Sequence, residues 1–365
     1  MDSDTNFYIT IICALAFFAM VLIVITSNDH TKEVSKNSRL NAEIDKLKNE
    51  VILLRQQIDS STSKKNVIPI TESSKKYTLD TGSAPEFPKV ESVVIAPLDS
   101  SYEWAHLKGS VKGFNKKELQ DAHGVRVDGS KILLVVCDGA GSKVHSKAGA
   151  DYCASALLDE FSKVLSSNHQ LSDEKWKIVA RSAFLKVAES LKNFAESQSQ
   201  PLADYGCTGI VVLANDNFVG CAHVGDGRAG FLDANNCWQS ILVPYKGAEA
   251  NATVFISMLN SENAEQFIRT SCHFLRTRAI VALSDGPEAV CWHISTKSSS
   301  GNKIEDPNIP SANFFTKITN QLIAATLNNT SQEELDKLWS DFLTSGNEKL
   351  AKESDDKTLL IAVRG

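Results

Sequence analysis

The sequence predicts a layered α/β protein of the α+β class, in which the sheets are largely antiparallel. Short β-branched or apolar segments bounded by turn residues indicate strands, and several follow one another closely enough to pair as hairpins. The long amphipathic helices come in clusters and do not alternate with the strands. Regular strand–helix alternation would indicate a parallel sheet, so this arrangement favours antiparallel layers.

Six strands and four helices are predicted in the C-terminal part of the chain. The strand pattern covers residues 131–137, 209–214, 218–224, 229–232, 279–283 and 358–363. The helical pattern covers residues 147–165, 173–195, 312–327 and 331–343. The last helix begins with Ser331 followed three residues later by Glu334, which is a capping-box pattern. These elements predict a folded domain over residues 93–365.

An apolar segment within residues 1–30 predicts a membrane anchor. Phe7 to Thr26 has no charged residue and is long enough to cross a bilayer as a helix. A cleaved signal peptide is the alternative, but the residues before the segment include Asp2 and Asp4 and no basic residue. Lysines and an arginine follow the segment, so the positive-inside rule predicts a single-pass protein with its N-terminus outside and its folded domain in the cytoplasm.

Residues 31–60 predict a short coiled coil. From Leu40 to Ile58, apolar side chains recur at alternating spacings of four and three, which forms a seam of about three heptads. We expect a parallel homodimer through this seam, and the alternative is an isolated amphipathic helix that folds back on its own domain. Residues 61–92 are polar and contain prolines, which indicates a flexible linker.

Composition and cysteine spacing exclude several functional classes. The 365 residues are 42% hydrophobic, enough for a sizeable core, and the formal net charge of −6 predicts no nucleic-acid binding. The eight cysteines contain no Cys-x-x-Cys pair and no Cys/His spacing typical of zinc. Apolar segments surround four of them, which predicts buried and reduced thiols at Cys137, Cys153, Cys207 and Cys221.

Aspartates follow several of the predicted strands. Asp138 comes directly after one strand and is followed by Gly139, while Asp285 follows another strand and precedes Gly286. Similar acidic segments occur at Gln120-Asp121, Gly225-Asp226-Gly227-Arg228 and Asp355-Asp356. One Asp–Gly pair alone is a common turn signal. Several of them at strand ends are explained together if the strands lie side by side and their ends converge.

Converging aspartates predict a site for hard divalent cations. Carboxylate and carbonyl oxygens without histidine or cysteine suit Mg²⁺ or Mn²⁺ better than Zn²⁺. Two such ions can share a water, lower its pKa and direct it at phosphorus. The sequence contains neither a Gly-x-Ser-x-Gly nucleophile motif nor a nucleotide-binding phosphate loop. The residues themselves therefore favour metal-assisted hydrolysis.

The order of these motifs from about Ser110 to Gly365 resembles the PPM-type protein phosphatases, the protein phosphatase 2C family, and especially its bacterial branch. The matching segments lie at 120–122, 135–142, 206–209, 223–228, 283–286 and 355–358. The resemblance implies a central antiparallel β-sandwich flanked by helices, with a dinuclear Mg²⁺ or Mn²⁺ centre at one end. It also implies a phosphorylated protein as substrate.

The resemblance further implies roles for individual residues. Asp138 would bridge both ions, and the Gly139 carbonyl would bind one of them. Asp285 and Asp355 would complete the shell of the other ion. Asp121 would lie in the same cluster, bound directly or through water.

Other positions extend or depart from the family pattern. Asp226 would join Asp285 at a third, weaker metal site. Ala140 stands where many members have a histidine, and Lys116 stands where the phosphate-binding arginine is expected. Lysine lacks the two-pronged geometry of arginine. His123 is close enough in sequence to the site to be considered as a general acid.

The sequence therefore predicts a membrane-anchored, cytoplasmic, metal-dependent phosphatase of phosphoserine and phosphothreonine in proteins. Its predicted catalytic residues are Asp138, Asp121 and Lys116. The alternative is a catalytically weak domain of the same fold that serves as a membrane-attached scaffold for phosphoproteins.

Overall fold

The computed structural model of the protein describes residues 104–166, 171–245, 253–297 and 304–364. These residues belong to one compact unit, Leu79–Gly365. Within these ranges, no helix combines the length and apolar character needed to cross a membrane. The predicted anchor at Phe7–Thr26, the predicted coiled coil at Leu40–Ile58 and the predicted linker lie outside the described residues.

Two antiparallel sheets form the centre of the fold. The strands are numbered in chain order. One sheet runs in the order β1 (Ala105–Leu107), β15 (Lys357–Val363), β10 (Ala279–Leu283), β7 (Arg228–Leu232) and β8 (Trp238–Ser240), and β2 (Ser110–Val111) also pairs with β15. The second sheet runs in the order β3 (Ala122–Asp128), β4 (Lys131–Cys137), β5 (Gly209–Ala214), β6 (Val219–Val224) and β9 (Arg269–His273).

Helices and short hairpins complete the described part of the chain. The helices are α1 (Ser146–Leu165), α2 (Asp173–Ser197), α3 (Ala264–Phe267), α4 (Glu288–Cys291), α5 (Ala312–Leu327), α6 (Gln332–Ser345) and α7 (Glu348–Lys352). Two further pairs of short strands are β11 (Trp292–His293) with β14 (Ile309–Pro310) and β12 (Thr296–Lys297) with β13 (Ile304–Glu305).

The two sheets pack face to face, and helices cover their outer faces. One core lies between the sheets and takes alternate residues of β4, such as Ile132 and Leu134, with Ile280 and Leu360 from the other sheet. The remaining residues of β4, such as Leu133, pack into a second core with α1 and α2. A third core joins the first sheet to α5 and α6. Because both faces of the central strands are buried, their sequences are almost continuously apolar.

The structure confirms the antiparallel α+β prediction. All six predicted strands and all four predicted helices are present, with ends within two residues of the predicted positions. Ser331 caps α6 by accepting a hydrogen bond from the Glu334 N–H at 3.2 Å, as the capping pattern predicts. The four cysteines predicted to be buried are buried and form no disulfide: Cys137, Cys153, Cys207 and Cys221.

Candidate metal centre

Strand register brings four of the predicted site aspartates to one end of the sandwich. Ala122 of β3 pairs with Cys137 of β4, so Asp121 and Asp138 extend past the same end of this hairpin. In the other sheet, Leu283 of β10 pairs with Leu359 of β15. Asp285 and Asp355 therefore lie just beyond the corresponding end of that pair. The sequence prediction that separate strand ends converge is correct for these four residues.

Asp226 lies in the link that crosses from one sheet to the other. The chain leaves β6 at Val224 and enters β7 at Arg228. Gly225 has φ +108°, and a Cβ atom there would lie 2.5 Å from the Thr208 side chain. Glycine is therefore required for this tight crossing, which sets Asp226 at the same end of the sandwich. Burial raises the pKa of Asp226, and the negative charge of Asp355 contributes to the rise.

Asp121 is the most buried of these carboxylates and is held by two hydroxyl groups. Ser284 Oγ and Thr358 Oγ1 each donate to Asp121 Oδ2 at 2.8 Å. Asp121 Oδ1 is buried and receives no hydrogen bond from an N–H or hydroxyl group of the described residues, and the Asp138 carboxyl group lies close enough to share a proton with Asp121. Burial raises the pKa of Asp121 to about 6 against the lowering effect of the two hydroxyls. An unpartnered buried carboxylate oxygen of this kind is suited to bind a cation.

Asp138 and Asp285 lie in a field of like charge. Burial raises the pKa of Asp138 well above its usual value, and the charges of Asp121, Asp285 and Asp355 raise it further. Partial burial and the charges of Asp355 and Asp226 raise the pKa of Asp285 to about 7. Of the five site aspartates, Asp285 is the exposed one. Divalent cations would relieve this repulsion.

Lys116 supplies a positive charge beside the aspartates. Its ammonium contacts the Asp355 carboxylate and lies 3.4 Å from Asp356 Oδ2. Burial alone would lower the pKa of Lys116, but the interactions with Asp355 and Asp356 outweigh burial and raise it. The structure thus brings the residue predicted to bind phosphate to the acidic cluster, where it pairs with a predicted metal ligand.

Asp356 fixes the loop that carries Lys116 and leads to Asp121. Its carboxylate is buried and accepts backbone hydrogen bonds from Gly113 N at 2.8 Å and Gln120 N at 2.7 Å. These bonds tie the start and the end of the loop to the segment before β15. Asp356 therefore has a structural role, whereas the neighbouring Asp355 pairs with Lys116 in the cluster.

A buried arginine braces the two loops that carry Asp226 and Asp285. Arg228 Nε donates to Glu288 Oε1 at 2.8 Å, and a terminal nitrogen donates to Glu288 Oε2 at 3.1 Å. The same guanidinium contacts Asp306 at 2.8 Å. The two-pronged geometry requires arginine. It fixes Glu288, three residues after Asp285, to the strand that follows Asp226.

His123 points to a chain of hydroxyls and not to the cluster itself. Its Nδ1 lies 2.7 Å from Ser110 Oγ, which lies 2.6 Å from Thr358 Oγ1. Burial lowers the pKa of His123. The described contacts therefore connect His123 to Asp121 only through Ser110 and Thr358. His223, near the end of β6, is buried at 3% exposure.

The donors at this end of the sandwich fit hard divalent cations. They are carboxylate oxygens, one of them unpartnered, together with the backbone at Gly139. A Cβ atom at residue 139 would lie 2.5 Å from the Gln120 carbonyl oxygen, so only glycine allows the backbone to pass here. Within the described ranges, no three His, Cys, Asp or Glu side chains form a ready ligand shell. Asp355 is turned toward Lys116 and Asp121 Oδ2 toward hydroxyls, so cation binding would require these side chains to reorient.

Sequence reasoning missed the supporting residues of the site. Ser284, Thr358 and Ser110 are brought together by the pairing of β10 and β2 with β15. Ser284 and Thr358 stand beside the acidic motifs. A hydroxyl residue next to a strand-end aspartate is the signal by which the sequence could have identified them. Asp356 could be recognised only as an acidic neighbour of Asp355.

Comparison with known proteins identifies the family. The sequence model of the family described as "Protein phosphatase 2C" matches residues 114–340, which span well over half of the chain. This range includes Asp121, Asp138, Asp226 and Asp285. A search of curated protein sequences finds no match.

Solved structures with a similar fold include several phosphatases, all distant. A bacterial serine phosphatase is 16% identical, with TM-score 0.45, and covers 71% of this chain and 96% of its own. PppA, a regulatory component of T6SS in Pseudomonas aeruginosa, is 16% identical, with TM-score 0.43 and coverage of 72% and 98%. The serine/threonine phosphatase Stp1 from Staphylococcus aureus is 15% identical, with TM-score 0.43 and coverage of 76% and 100%. The assignment rests on the family match: the chain belongs to the protein phosphatase 2C family of serine/threonine protein phosphatases.

Proposed function

We propose that this protein removes phosphate from phosphoserine and phosphothreonine in proteins with the help of Mg²⁺ or Mn²⁺ bound at the acidic end of the sandwich. The observation that carries the proposal is the buried, unpartnered Oδ1 of Asp121 within a group of aspartates of raised pKa. Such a group is costly for a fold to maintain. Bound cations would offset the unfavourable free energy of burying these carboxylates close together.

Six residues at this end would hold the ions. In the proposed arrangement Asp138 would be shared between two ions, the Gly139 carbonyl would bind one of them, and Asp285 and Asp355 would bind the other. Asp121 contributes directly or through water, and Asp226 with Asp285 offers a third, weaker site. The bound ions would supply a water of lowered pKa as the nucleophile.

The chain's own residues position the reaction. Ser284 and Thr358 hold Asp121 in one orientation through their hydrogen bonds to Oδ2. We propose that Lys116 contacts a phosphate oxygen of the substrate as a point charge, once it is released from Asp355. Ala140 has no side chain that could transfer a proton, so protonation of the leaving oxygen falls to water at this position.

The proposal is tested by phosphate release from a phosphoserine peptide, using the full-length protein in detergent. Turnover should require Mn²⁺ or Mg²⁺, stop on addition of EDTA and return when the metal is restored. Turnover that continues unchanged in EDTA would contradict the proposal.

A second candidate function is a phosphoprotein-binding scaffold with weak activity. The pairing of Lys116 with Asp355 and Asp356 favours it, because it occupies a predicted metal ligand and the predicted phosphate contact together. Tight binding of a phosphopeptide without measurable phosphate release in Mn²⁺ would support this alternative.

We further propose, from the sequence alone, that residues 1–30 anchor the protein in a membrane with the phosphatase domain in the cytoplasm. The uncharged segment Phe7–Thr26 and the basic residues after it support this topology. We also propose a parallel homodimer through Leu40–Ile58. Sedimentation of the full-length protein, compared with a Leu47→Asp/Leu54→Asp variant, would measure this association.

A further inference from the structure

A cavity lies at the edge of the sandwich, apart from the aspartates. Its volume is about 550 Å³, and it is bordered by β6, β9, α2 and the segment after β8. We call it the edge pocket. Its lining includes five charged or titratable residues: Lys177, Arg181, His223, Glu265 and Arg269. A cavity of this size suits a small ligand or one group of a larger ligand.

Two residues that line the edge pocket each carry a buried nitrogen atom with no hydrogen-bond partner among the described residues. His223 is 3% exposed, and its Nδ1 makes no hydrogen bond to any described residue. Arg181 Nε is also buried without a partner in the described ranges, although another nitrogen of the same guanidinium lies 3.2 Å from Glu265 Oε1. Buried polar atoms normally form hydrogen bonds, because a buried polar atom without one destabilises the fold by about 1–3 kcal/mol. Two such atoms at one cavity indicate a polar ligand.

The charge at the cavity indicates the sign of that ligand. Lys177 lies 2.6 Å from Asp173 and Arg181 pairs with Glu265, so those two cations are largely balanced. Arg269 has no carboxylate within ion-pair distance among the described residues. Its guanidinium donates to the Val243 carbonyl at 3.3 Å and lies 5.1 Å from the centre of the Tyr245 ring. Most of its donors are therefore available to an anion.

Arg269 and His223 are close enough to act on the same ligand. They are directly paired across β6 and β9. Burial and, to a smaller extent, the positive charge of Arg269 lower the pKa of His223 to about 4, against the raising effect of a backbone hydrogen bond at Gly225. His223 is therefore neutral, and a neutral imidazole nitrogen can accept a hydrogen bond from a protonated oxygen or, in its other tautomer, donate one.

We propose that the edge pocket binds a phosphate-type oxyanion, with Arg269 as its main charged contact and Arg181 Nε and His223 Nδ1 as hydrogen-bonding groups. Guanidinium groups bind such anions with two parallel hydrogen bonds, which favours phosphate over chloride. The ligand is either free inorganic phosphate or a phosphoryl group carried by a phosphopeptide. This site goes beyond the proposed function, because it uses none of the residues assigned to catalysis.

The test is calorimetric titration of the full-length protein with inorganic phosphate in EDTA. Without metal ions the aspartate cluster repels phosphate, so binding reports the edge pocket. Arg269→Gln should weaken binding about tenfold or more, because it removes the positive charge and the two parallel hydrogen-bond donors of the guanidinium. Arg278→Gln removes an exposed arginine just before β10 and outside the pocket, and it should bind phosphate as the wild type does.

A second measurement does not depend on a stable variant. The side-chain ¹⁵N resonances of His223 in the wild-type protein should shift as phosphate is added in EDTA. A phosphoserine peptide titrated in the same way separates the two sources, since the tighter of the two ligands identifies which one the pocket prefers. Either preference supports the proposal. Absence of phosphate and phosphopeptide binding in EDTA, or equal binding by Arg269→Gln and Arg278→Gln, would overturn it.

Discussion

The ammonium of Lys116 contacts the carboxylate of Asp355, a residue predicted to bind a metal ion. The contact joins a loop between β2 and β3 to the segment before β15. It neutralises part of an acidic cluster, and it also competes with any cation for the same oxygen. Lys116 therefore affects metal binding whether or not it also contacts phosphate.

Replacement of Lys116 should strengthen metal binding. Lys116→Met keeps the length of the side chain but leaves Asp355 unpaired, so the Mn²⁺ dissociation constant should fall. A partly exposed ion pair contributes up to about 1 kcal/mol, which corresponds to roughly a fivefold change. Calorimetric titration with Mn²⁺ measures this. Lys117→Met, at an exposed neighbouring lysine, is the control and should leave the affinity unchanged; an unchanged affinity in Lys116→Met would show that the pair does not compete with the metal.

The same residue has a separate kinetic test. If Lys116 contacts substrate phosphate, Lys116→Ala should raise KM and lower kcat/KM for a phosphopeptide. Lys116→Arg should then match or exceed the wild type, because a guanidinium can hold two phosphate oxygens. Kinetics of Lys116→Ala equal to those of the wild type would remove Lys116 from the proposed phosphate contact.

The stability of the metal-free protein should fall as the pH rises from about 4 to about 7. The pKa of Asp285 in the folded protein is about 7, above its ordinary value of 3.8. The folded state therefore holds this proton where the unfolded chain has lost it. The resulting stability is fully present below the ordinary pKa and is lost as the pH rises through the folded-state value.

Thermal unfolding in EDTA across this pH range measures the effect. Asp285→Asn cannot ionise at this position, so the variant should lose less stability than the wild type between pH 4 and 7. Asp128→Asn changes an exposed aspartate at the opposite end of β3 and should follow the wild type. A wild-type protein that loses no more stability over this range than Asp285→Asn would contradict the assigned direction of the shift.

Loss of Arg228 should destabilise the domain. Arg228→Ala leaves the carboxylates of Glu288 and Asp306 without their buried partner, and removal of one member of a buried ion pair costs about 3–5 kcal/mol. Chemical denaturation measures the free energy of unfolding. The control is Arg126→Ala, which removes an exposed pair with Asp159 and should cost about 1 kcal/mol or less. Equal losses of unfolding free energy in both variants would show that the buried Arg228 ion pairs stabilise the domain no more than an exposed ion pair does.

The proposed membrane topology has a direct cellular test. Protease added outside intact cells should leave the phosphatase domain uncut, and a reporter fused to the C-terminus should behave as cytoplasmic. Both results follow from the basic residues after Phe7–Thr26. Cleavage of the domain from outside would reverse the topology and place its free cysteines in an oxidising compartment.

The elements with long, regular apolar patterns were the most predictable from sequence. The strand at 131–137 and the helix at 312–327 have long, regular apolar patterns, and the structure has them at or near those bounds. The strands β3 and β9 were not predicted. The segment His123–Asp128 interrupts its apolar pattern with Gly124 and Arg126, and Arg269–His273 is polar, so sheet pairing and not local preference makes both of them strands.

The charged residues of the candidate site were predictable from sequence, but the residues that hold them in place were not. Aspartates at strand ends are visible in the sequence, and four of them, two beside glycine, follow strands or precede strands that pair with one another. The hydroxyls that hold Asp121 come from Ser284 and Thr358, 163 and 237 residues away along the chain. Contacts of that range depend on strand register, which a single sequence does not specify.

The most direct test of the proposed metal centre is Mn²⁺-dependent turnover of a phosphoserine peptide by Asp138→Asn. Asp138 is the proposed bridging ligand, so the variant should lose at least about a thousandfold in kcat while its circular dichroism and unfolding midpoint in EDTA show a folded domain. Asp128→Asn, on the same β3–β4 hairpin at the far end, should keep wild-type turnover. If Asp138→Asn keeps more than about a tenth of the wild-type rate, the proposed metal centre at Asp138 is wrong.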